Sequence, residues 1–359
     1  MIVFKGCVII NKLLSNKSII GHLLALLTII IWGTTFIATK VLLVDFSPME
    51  ILFFRFLMAY LVLLAIKPKF IKPVSWKEEG IFFLASVSGI SLYQYLENLS
   101  LEYTSPSNVS IIIACSAFFT ALFSKLILKN EKISKFFFLG FIVSIIGVAL
   151  VSYTDDASSN TSPIGDLIAL SAAVLWGIYS VSVKITSSYQ YSPLLVTRRI
   201  MFYGTVALIP FCIFGNQDLS LGRFLDIENL LLMAFLGLLA SALCFFTWNL
   251  AVNYIGAVKT GLYIYFSPVV TIIFEAIVFS TVPTWLGGLG TVLILIGLYV
   301  SSIKTKESKN SCQWQLFFNT LIVLPNNYTF TWCNIHFISF LNVKCFIPFR
   351  EVSRWHVST

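Results

Sequence analysis

Charge is what this chain has least of. Only 11% of its 359 residues are Asp, Glu, Lys or Arg, against roughly 25% in an average soluble domain, which excludes a sizeable water-facing body. Histidine is nearly absent: His22, His336 and His356 are scattered, and Cys333 with His336 makes a lone C-x-x-H, too little for zinc. The seven cysteines show no paired spacing. Cys115, Cys212 and Cys244 fall inside apolar runs, where a small thiol packs as a hydrophobe. No phosphate-cradling Gly-Lys-Ser/Thr loop is present, so the chain carries no ATP engine. Neither a metal nor another cofactor is expected. The stretch from Ile19 to Val44 is too long for a signal peptide and has no small-residue cleavage site.

What the chain does have is hydrophobic sequence, 58% of it. Apolar runs of about 20 residues, each enough to cross a ~30 Å hydrocarbon core, recur along most of its length. They predict an all-α membrane protein of ten transmembrane helices, at about 21–42, 48–66, 79–99, 106–128, 135–153, 165–185, 193–214, 228–251, 256–280 and 284–303. Ser47-Pro48, Ser105-Pro106 and Ser192-Pro193 each set an N-cap hydroxyl before a proline at a helix start. The net charge of +8 reads as membrane-orienting charge on short loops rather than a nucleic-acid footprint. Lys5, Lys12 and Lys17 precede the first span. Lys67, Lys69, Lys72 and Lys77 join the second to the third, Lys129, Lys132 and Lys135 the fourth to the fifth, and Lys304, Lys306 and Lys309 follow the tenth. The alternate loops hold Asp45, Glu102, Asp155, Asp156, Asp218, Asp226 and Glu228, with Arg223 the exception. By the positive-inside rule both ends of the ten-helix body are cytoplasmic, in a multi-pass protein of the inner or plasma membrane.

The chain also repeats itself. Gly21, Leu23, Ala25, Leu26, Trp32, Gly33 and Lys40 recur at a constant shift of 144 as Gly165, Leu167, Ala169, Leu170, Trp176, Gly177 and Lys184. Asn98, Leu99 and Tyr103 recur as Asn249, Leu250 and Tyr254 at a shift of 151, and Gly140 and Gly147 as Gly290 and Gly297 at 150. Five helices per copy is an odd number, so the second copy enters the membrane from the opposite face and Lys40 and Lys184 end their helices on opposite sides. The domains are then a cytoplasmic segment 1–18, two inverted five-helix repeats at 19–155 and 165–303, and an atypical tail at 304–359. A further span near 328–349 is opposed by Asn334, His336, Asn342 and Lys344 at its midplane. The tail is read as an appendage without an assignable role. Asn160-Thr161-Ser162 is a sequon on an external loop, meaningful only in a secretory eukaryotic host.

The ordered motifs resemble the EamA family of the drug/metabolite transporter superfamily. They are Trp32-Gly33 with Lys40, Ser47-Pro48 with Arg55, and Gly140 with Gly147. The second copy gives Trp176-Gly177 with Lys184, Ser192-Pro193 with Arg198 or Arg199, and Gly290 with Gly297. The run from Tyr103 to Asn108, followed by Glu131, is similar to the same family. The likeness covers roughly 19–303. Two positions depart from it: Ala117 stands where the second copy has Pro268, and Val282 where the first has Glu131. The two gates are therefore expected to differ. The resemblance implies a carrier of small organic metabolites, commonly an exporter of amino acids or related solutes.

A polar group inside a membrane helix faces protein or a watery cavity by default. Tyr93 and Glu97, at i and i+4, share a stripe of the third span beside Gln94 and Asn98. Glu97, near the predicted end of that span, is a substrate ligand or a solvated interfacial carboxylate. Asn98 and its mate Asn249 are cavity residues or interhelical hydrogen bonders. Trp32 and Trp176, with Thr35, Tyr179, Trp248 and Tyr263, are candidates for an aromatic cavity, against the ordinary reading of packing. Asn108 could reach it from the outer end. Glu275 is expected to sit deep in the ninth span, seven residues beyond Pro268. Burial penalises the charge of a carboxylate, which suits proton coupling, although a structural hydrogen bond is the alternative. Lys259 attracts an anionic group or snorkels, and Arg55, Arg198 and Arg199 read as interfacial anchors or ion-pair partners, Arg55 with Glu50. The stripes Gly140, Ser144, Gly147 and Gly290, Gly297 are packing residues and candidate homodimer contacts.

The sequence thus points to a secondary carrier working by alternating access between inverted halves, with the bilayer and a small organic solute as its partners and no nucleic acid. A membrane-embedded lipid-modifying enzyme would need acid, base or metal groups clustered at one depth, and the candidates are spread over several helices. Within carriers, nucleotide-sugar, nucleoside or drug transport stays open beside amino-acid export.

Overall fold

The computed structural model describes residues 16–69, 72, 75–128, 134–155, 163–215, 217, 220–280 and 285–303. Expectations placed on Glu131, Val282, the Asn160 sequon and the 304–359 tail lie outside the described residues. Regular structure among these residues is helical throughout. The helices are α1 (Lys17–Leu42), α2 (Pro48–Ile66), α3 (76–103), α4 (Pro106–Ile127), α5 (Lys135–Asp155), α6 (Pro163–Thr186), α7 (Pro193–Phe214), α8 (Ile227–Ile255), α9 (Ala257–Val278) and α10 (Trp285–Ser302). Seven of them, α1, α2, α4, α6, α7, α8 and α9, are long and apolar enough to cross a bilayer. α3 carries Gln94, Glu97 and Asn98, all buried, and its hydropathy suffers accordingly.

Local chemistry sets the helix starts. The Asn16 side chain accepts from Ser18 N at 3.0 Å. Ser47 and Glu50 form a reciprocal capping box ahead of α2, each side chain bonding the other's backbone N–H. Ser105 accepts from Asn108 N at 3.1 Å. Ser192 departs from expectation: its hydroxyl caps nothing and lies instead 3.5 Å from Lys67 Nζ.

Four helices are irregular, in matching pairs. α3 widens into a π turn at Val87–Ser91 and α8 at Phe235–Leu243. α4 breaks at Cys115, between Ala114 and Ser116, and α9 tightens to 3₁₀ geometry over Leu262–Phe266. The shift of 151 that relates Asn98 to Asn249 carries Cys115 onto Phe266. Interrupted helices near a site are where carriers expose backbone groups.

The opening helices are exchanged between the two copies. On α1, Gly33 lies so close to α9 that an added Cβ would stand 2.6 Å from Val270. Thr271 Oγ1 donates to the Gly33 carbonyl at 2.8 Å, and Thr28 meets Thr247 of α8 at 2.7 Å. On α6, Gly177 abuts Phe119 and Thr120 of α4, and Gly165 faces Tyr103 and Thr104 at the end of α3. α1 therefore packs on α8 and α9, and α6 on α3 and α4. α5 and α10 pair with one another: Gly140 meets the Gly297 carbonyl, Gly297 the Gly140 carbonyl, and Gly147 the Gly290 carbonyl. The small-residue stripes expected at a homodimer contact are thus covered within the chain. The small residues permit backbone-to-backbone approach that a larger side chain would block. Leu23, Leu27 and Ile30 on α1, and Ile142, Ile146, Val292 and Ile296 on α5 and α10, are exposed, as a lipid-facing surface requires.

Candidate functional site

A cavity of about 30 Å³ opens where α1, α2, α3, α4, α6 and α9 meet. α1 contributes Trp32 and Thr35, α2 Arg55, α3 Tyr93, Gln94 and Glu97, α6 Trp176, and α9 Ser267. Both repeat-related tryptophans therefore line one space.

Their rings touch. Trp32 and Trp176 meet edge to face at 5.2 Å between centroids, with an interplanar angle of 85°. Trp248 lies 5.2 Å from Trp32 and 5.8 Å from Trp176. Tyr93 and Tyr179 each lie 4.8 Å from Trp176. Edge-to-face rings gain about 0.5–1.5 kcal/mol beyond burial, so this cluster holds the halves together as well as walling the cavity. The two indoles are not equivalent. Trp32 Nε1 donates to the Ala240 carbonyl at 2.8 Å, a group inside the π turn of α8. Trp176 Nε1 is buried without a hydrogen-bond partner among the described residues. A donor in that position is suited to an acceptor on a guest. Trp176→Phe is accordingly expected to raise the solute KM several-fold with little change in melting temperature. Trp32→Phe, which strands the Ala240 carbonyl, should destabilise by about 1 kcal/mol. Transport kinetics and detergent melting curves of the two variants check this.

Arg55 is 1% exposed. Its Nε donates to Ser241 Oγ at 2.6 Å and its Nη1 to Gln94 Oε1 at 2.8 Å. This overturns its reading as an interfacial anchor beside Glu50: Glu50 pairs instead with Arg223 at 2.9 Å. Arg55 sits far enough along α2 for the guanidinium to turn inward, where Gln94 and Ser241 replace water. Glu97 is also buried, accepting a hydrogen bond from Tyr93 Oη. The interfacial alternative for Glu97 fails because α3 runs on to Tyr103, which leaves the carboxyl more than a turn inside.

Other candidates have partners elsewhere. Asn98 Nδ2 donates to the Pro48 carbonyl at 3.2 Å. Tyr179 Oη donates to Asn249 Oδ1 at 2.7 Å, and Asn249 Nδ2 to Thr197 Oγ1 at 2.9 Å. The two asparagines thus hold α3 to α2 and α8 to α7, as interhelical hydrogen bonders. Tyr263 bonds His22 at 3.0 Å. Trp248, fully buried, backs the wall without lining it. Asn108 Nδ2 reaches Thr104 at 2.9 Å and Asp166 at 2.7 Å.

Glu275 is not deep. It stands in the last turn of α9, which ends at Val278, and accepts from both Ser107 N, at 3.1 Å, and Ser107 Oγ, at the start of α4. A carboxylate there complements the exposed N–H groups and the dipole of a helix N-terminus. Counting from an assumed later helix end placed it too far inside. With Lys40 Nζ donating to the Leu101 and Thr104 carbonyls, these contacts tie α1 to α3, α4 to α9 and α4 to α6 across one end of the bundle. The repeat mate of Lys40 behaves differently: the Lys184 ammonium makes no hydrogen bond among the described residues, and only its carbonyl accepts one from a side chain, Ser187 Oγ at 2.6 Å. At that opposite end Arg198 donates to the Lys67 and Lys69 carbonyls and Arg199 pairs with Glu79. Tyr191 donates to Glu78 at 3.0 Å; burial and that carboxylate push its phenol up.

Arg55, Gln94 and Ser267 are the polar lining residues that sequence reasoning left out of its candidate site. The available signal was an arginine a second turn into an apolar helix.

The profile of the EamA-like transporter family matches residues 19–153 and again 163–303. An uncharacterized transporter of Archaeoglobus fulgidus is 28% identical over 295 residues, spanning 80% of this chain and 98% of its own. The uncharacterized transporter YyaM of Bacillus subtilis is 30% identical over 276 residues, 75% of this chain and 89% of its own. A protein of Streptantibioticus cattleyicolor named a probable terminal-alkyne amino-acid exporter is 24% identical over 280 residues, 78% and 92% of the two chains. One solved crystal structure superposes with a TM-score of 0.62 at 16% identity, covering 80% of this chain and 96% of that one, a likeness of fold.

Proposed function

The chain belongs to the EamA-like transporter family, and on that premise we propose that it is a secondary carrier exporting amino acids or closely related solutes by alternating access. In this reading α1 to α10 all cross the membrane as two inverted five-helix repeats. The lysine-rich loops put the Lys184 end in the cytoplasm and the Lys40 end outside the inner or plasma membrane. The observation that carries the reading is one cavity lined by a guanidinium, Arg55, and a carboxyl, Glu97, together with Trp32 and Trp176. A zwitterionic solute places its carboxylate toward Arg55 and Trp176 Nε1 and its ammonium toward Glu97, while its side chain rests on the indoles. Such charge-assisted bonds are roughly twice as strong as neutral ones. The Streptantibioticus relative's name agrees with this solute class. The polar ties at the Lys40 end and those of Arg198, Arg199 and Tyr191 at the Lys184 end use different residues, which supports gates that differ.

Counterflow in proteoliposomes against amino acids, nucleosides and cationic drugs tests the proposal. Saturable trans-stimulation by one or more amino acids is expected. Saturable exchange confined to nucleosides or drugs, or flux that does not saturate, refutes it.

A further inference from the structure

We propose that Glu97 is the proton-exchanging group of this carrier, its carboxyl taken alternately by a proton and by the ammonium of the solute. The proposal rests on the carrier reading but adds a driving ion to it. Glu97 is 5% exposed and lines the cavity. The only hydrogen bond to its carboxyl among the described residues comes from Tyr93, to Oε2, leaving the other carboxyl oxygen without one. Among the described residues no cation stands within ion-pair distance of it.

The groups facing Glu97 were considered helix by helix. Tyr93 on its own helix and Arg55 on α2 are the titratable ones, and α8 adds Cys244 beside Arg55. The lining from α1, α4, α6 and α9 brings no acid or base. Arg55 directs its two hydrogen bonds to Ser241 and Gln94 rather than to Glu97. A buried carboxylate without an ion-pair partner is expensive, so it holds a proton or meets a cation. A proton and an ammonium cannot occupy it together. When the ammonium arrives, the O–H bond of Glu97 breaks and the proton passes to cavity water. After the cavity has turned to the other face, the ammonium leaves and a proton returns from water there. One zwitterionic solute moves out for one proton in.

Glu275, the sequence's candidate for this role, is already engaged by Ser107 at a helix end. Tyr93 fits the role of positioning residue, since it orients the carboxyl without touching the exchanged cation.

The test uses purified full-length protein in weak buffer, with alanine, leucine, phenylalanine and lysine as probes. Wild type should release about one proton per chain on binding at least one of them, read by a pH-sensitive dye, and Glu97→Gln none. In proteoliposomes Glu97→Gln should lose pH-gradient-driven accumulation at least tenfold more than it loses solute–solute counterflow. Tyr93→Phe, the milder variant, should move the midpoint of the transport pH profile. Proton release that persists in Glu97→Gln overturns the proposal, as does an unmoved midpoint in Tyr93→Phe. Wild-type counterflow without proton release overturns the proposal and leaves the carrier reading standing. Absence of counterflow in wild type removes both.

Discussion

Replacing Arg55 with leucine should cut transport by at least 100-fold and lower the yield of folded protein. The guanidinium is enclosed on every side and supplies donors to Ser241 and Gln94. Leucine leaves both acceptors buried without partners and leaves Glu97 with no neighbouring positive charge. Breaking a buried charged network by removing one member typically costs about 3–5 kcal/mol. Arg55→Lys separates structure from function. It keeps the charge and much of the stem, so melting should recover, but an ammonium cannot reproduce the planar fork that holds Ser241 and Gln94 while facing the cavity. Transport by Arg55→Lys should stay at least tenfold below wild type at matched amounts of folded protein. Arg55→Leu with wild-type kinetics would show that the guanidinium has no part in the site.

The second large effect is structural. Gly140→Leu should lower the melting temperature in detergent by roughly 5 °C, from an overpacking cost of about 1–3 kcal/mol. At Gly140 the first side-chain carbon would meet the Gly297 carbonyl and the backbone of Ser301, neither of which can rotate away. Gly288→Leu is the control on the partner helix, because nothing lies within 4 Å of a Cβ there. Equal melting of the two variants would mean that α5 and α10 do not cross at their glycines.

Much of the fold was legible because hydrophobic length and helix-start chemistry are local. Ser47-Pro48 and Ser105-Pro106 cap helices as their residues predict, and Trp32 and Trp176 could be paired by spacing alone. Side-chain direction was not legible. Whether Arg55 turns to lipid headgroups or inward depends on Gln94 and Ser241, which come from helices distant in sequence. Glu97 was read about a turn out of place and Glu275 about half a turn, since depth depends on where a helix ends and membrane helices end without strong polar markers. The π turns of α3 and α8 each hold one glycine, Gly89 and Gly237, but a lone glycine does not distinguish them from regular helix, and one of the two supplies the carbonyl that holds Trp32.

The exchange of opening helices has a consequence for biogenesis. α1 is the first of these helices to be synthesised, but the surfaces of α8 and α9 that it packs on, around Thr247, Val270 and Thr271, emerge some two hundred residues later. At about 5–20 residues per second it waits ten seconds or more with its glycine face uncovered. The order of translation is therefore not the order of assembly. A chain truncated between the copies leaves an opening helix without its docking surface, which makes it a substrate for membrane quality control rather than a working half.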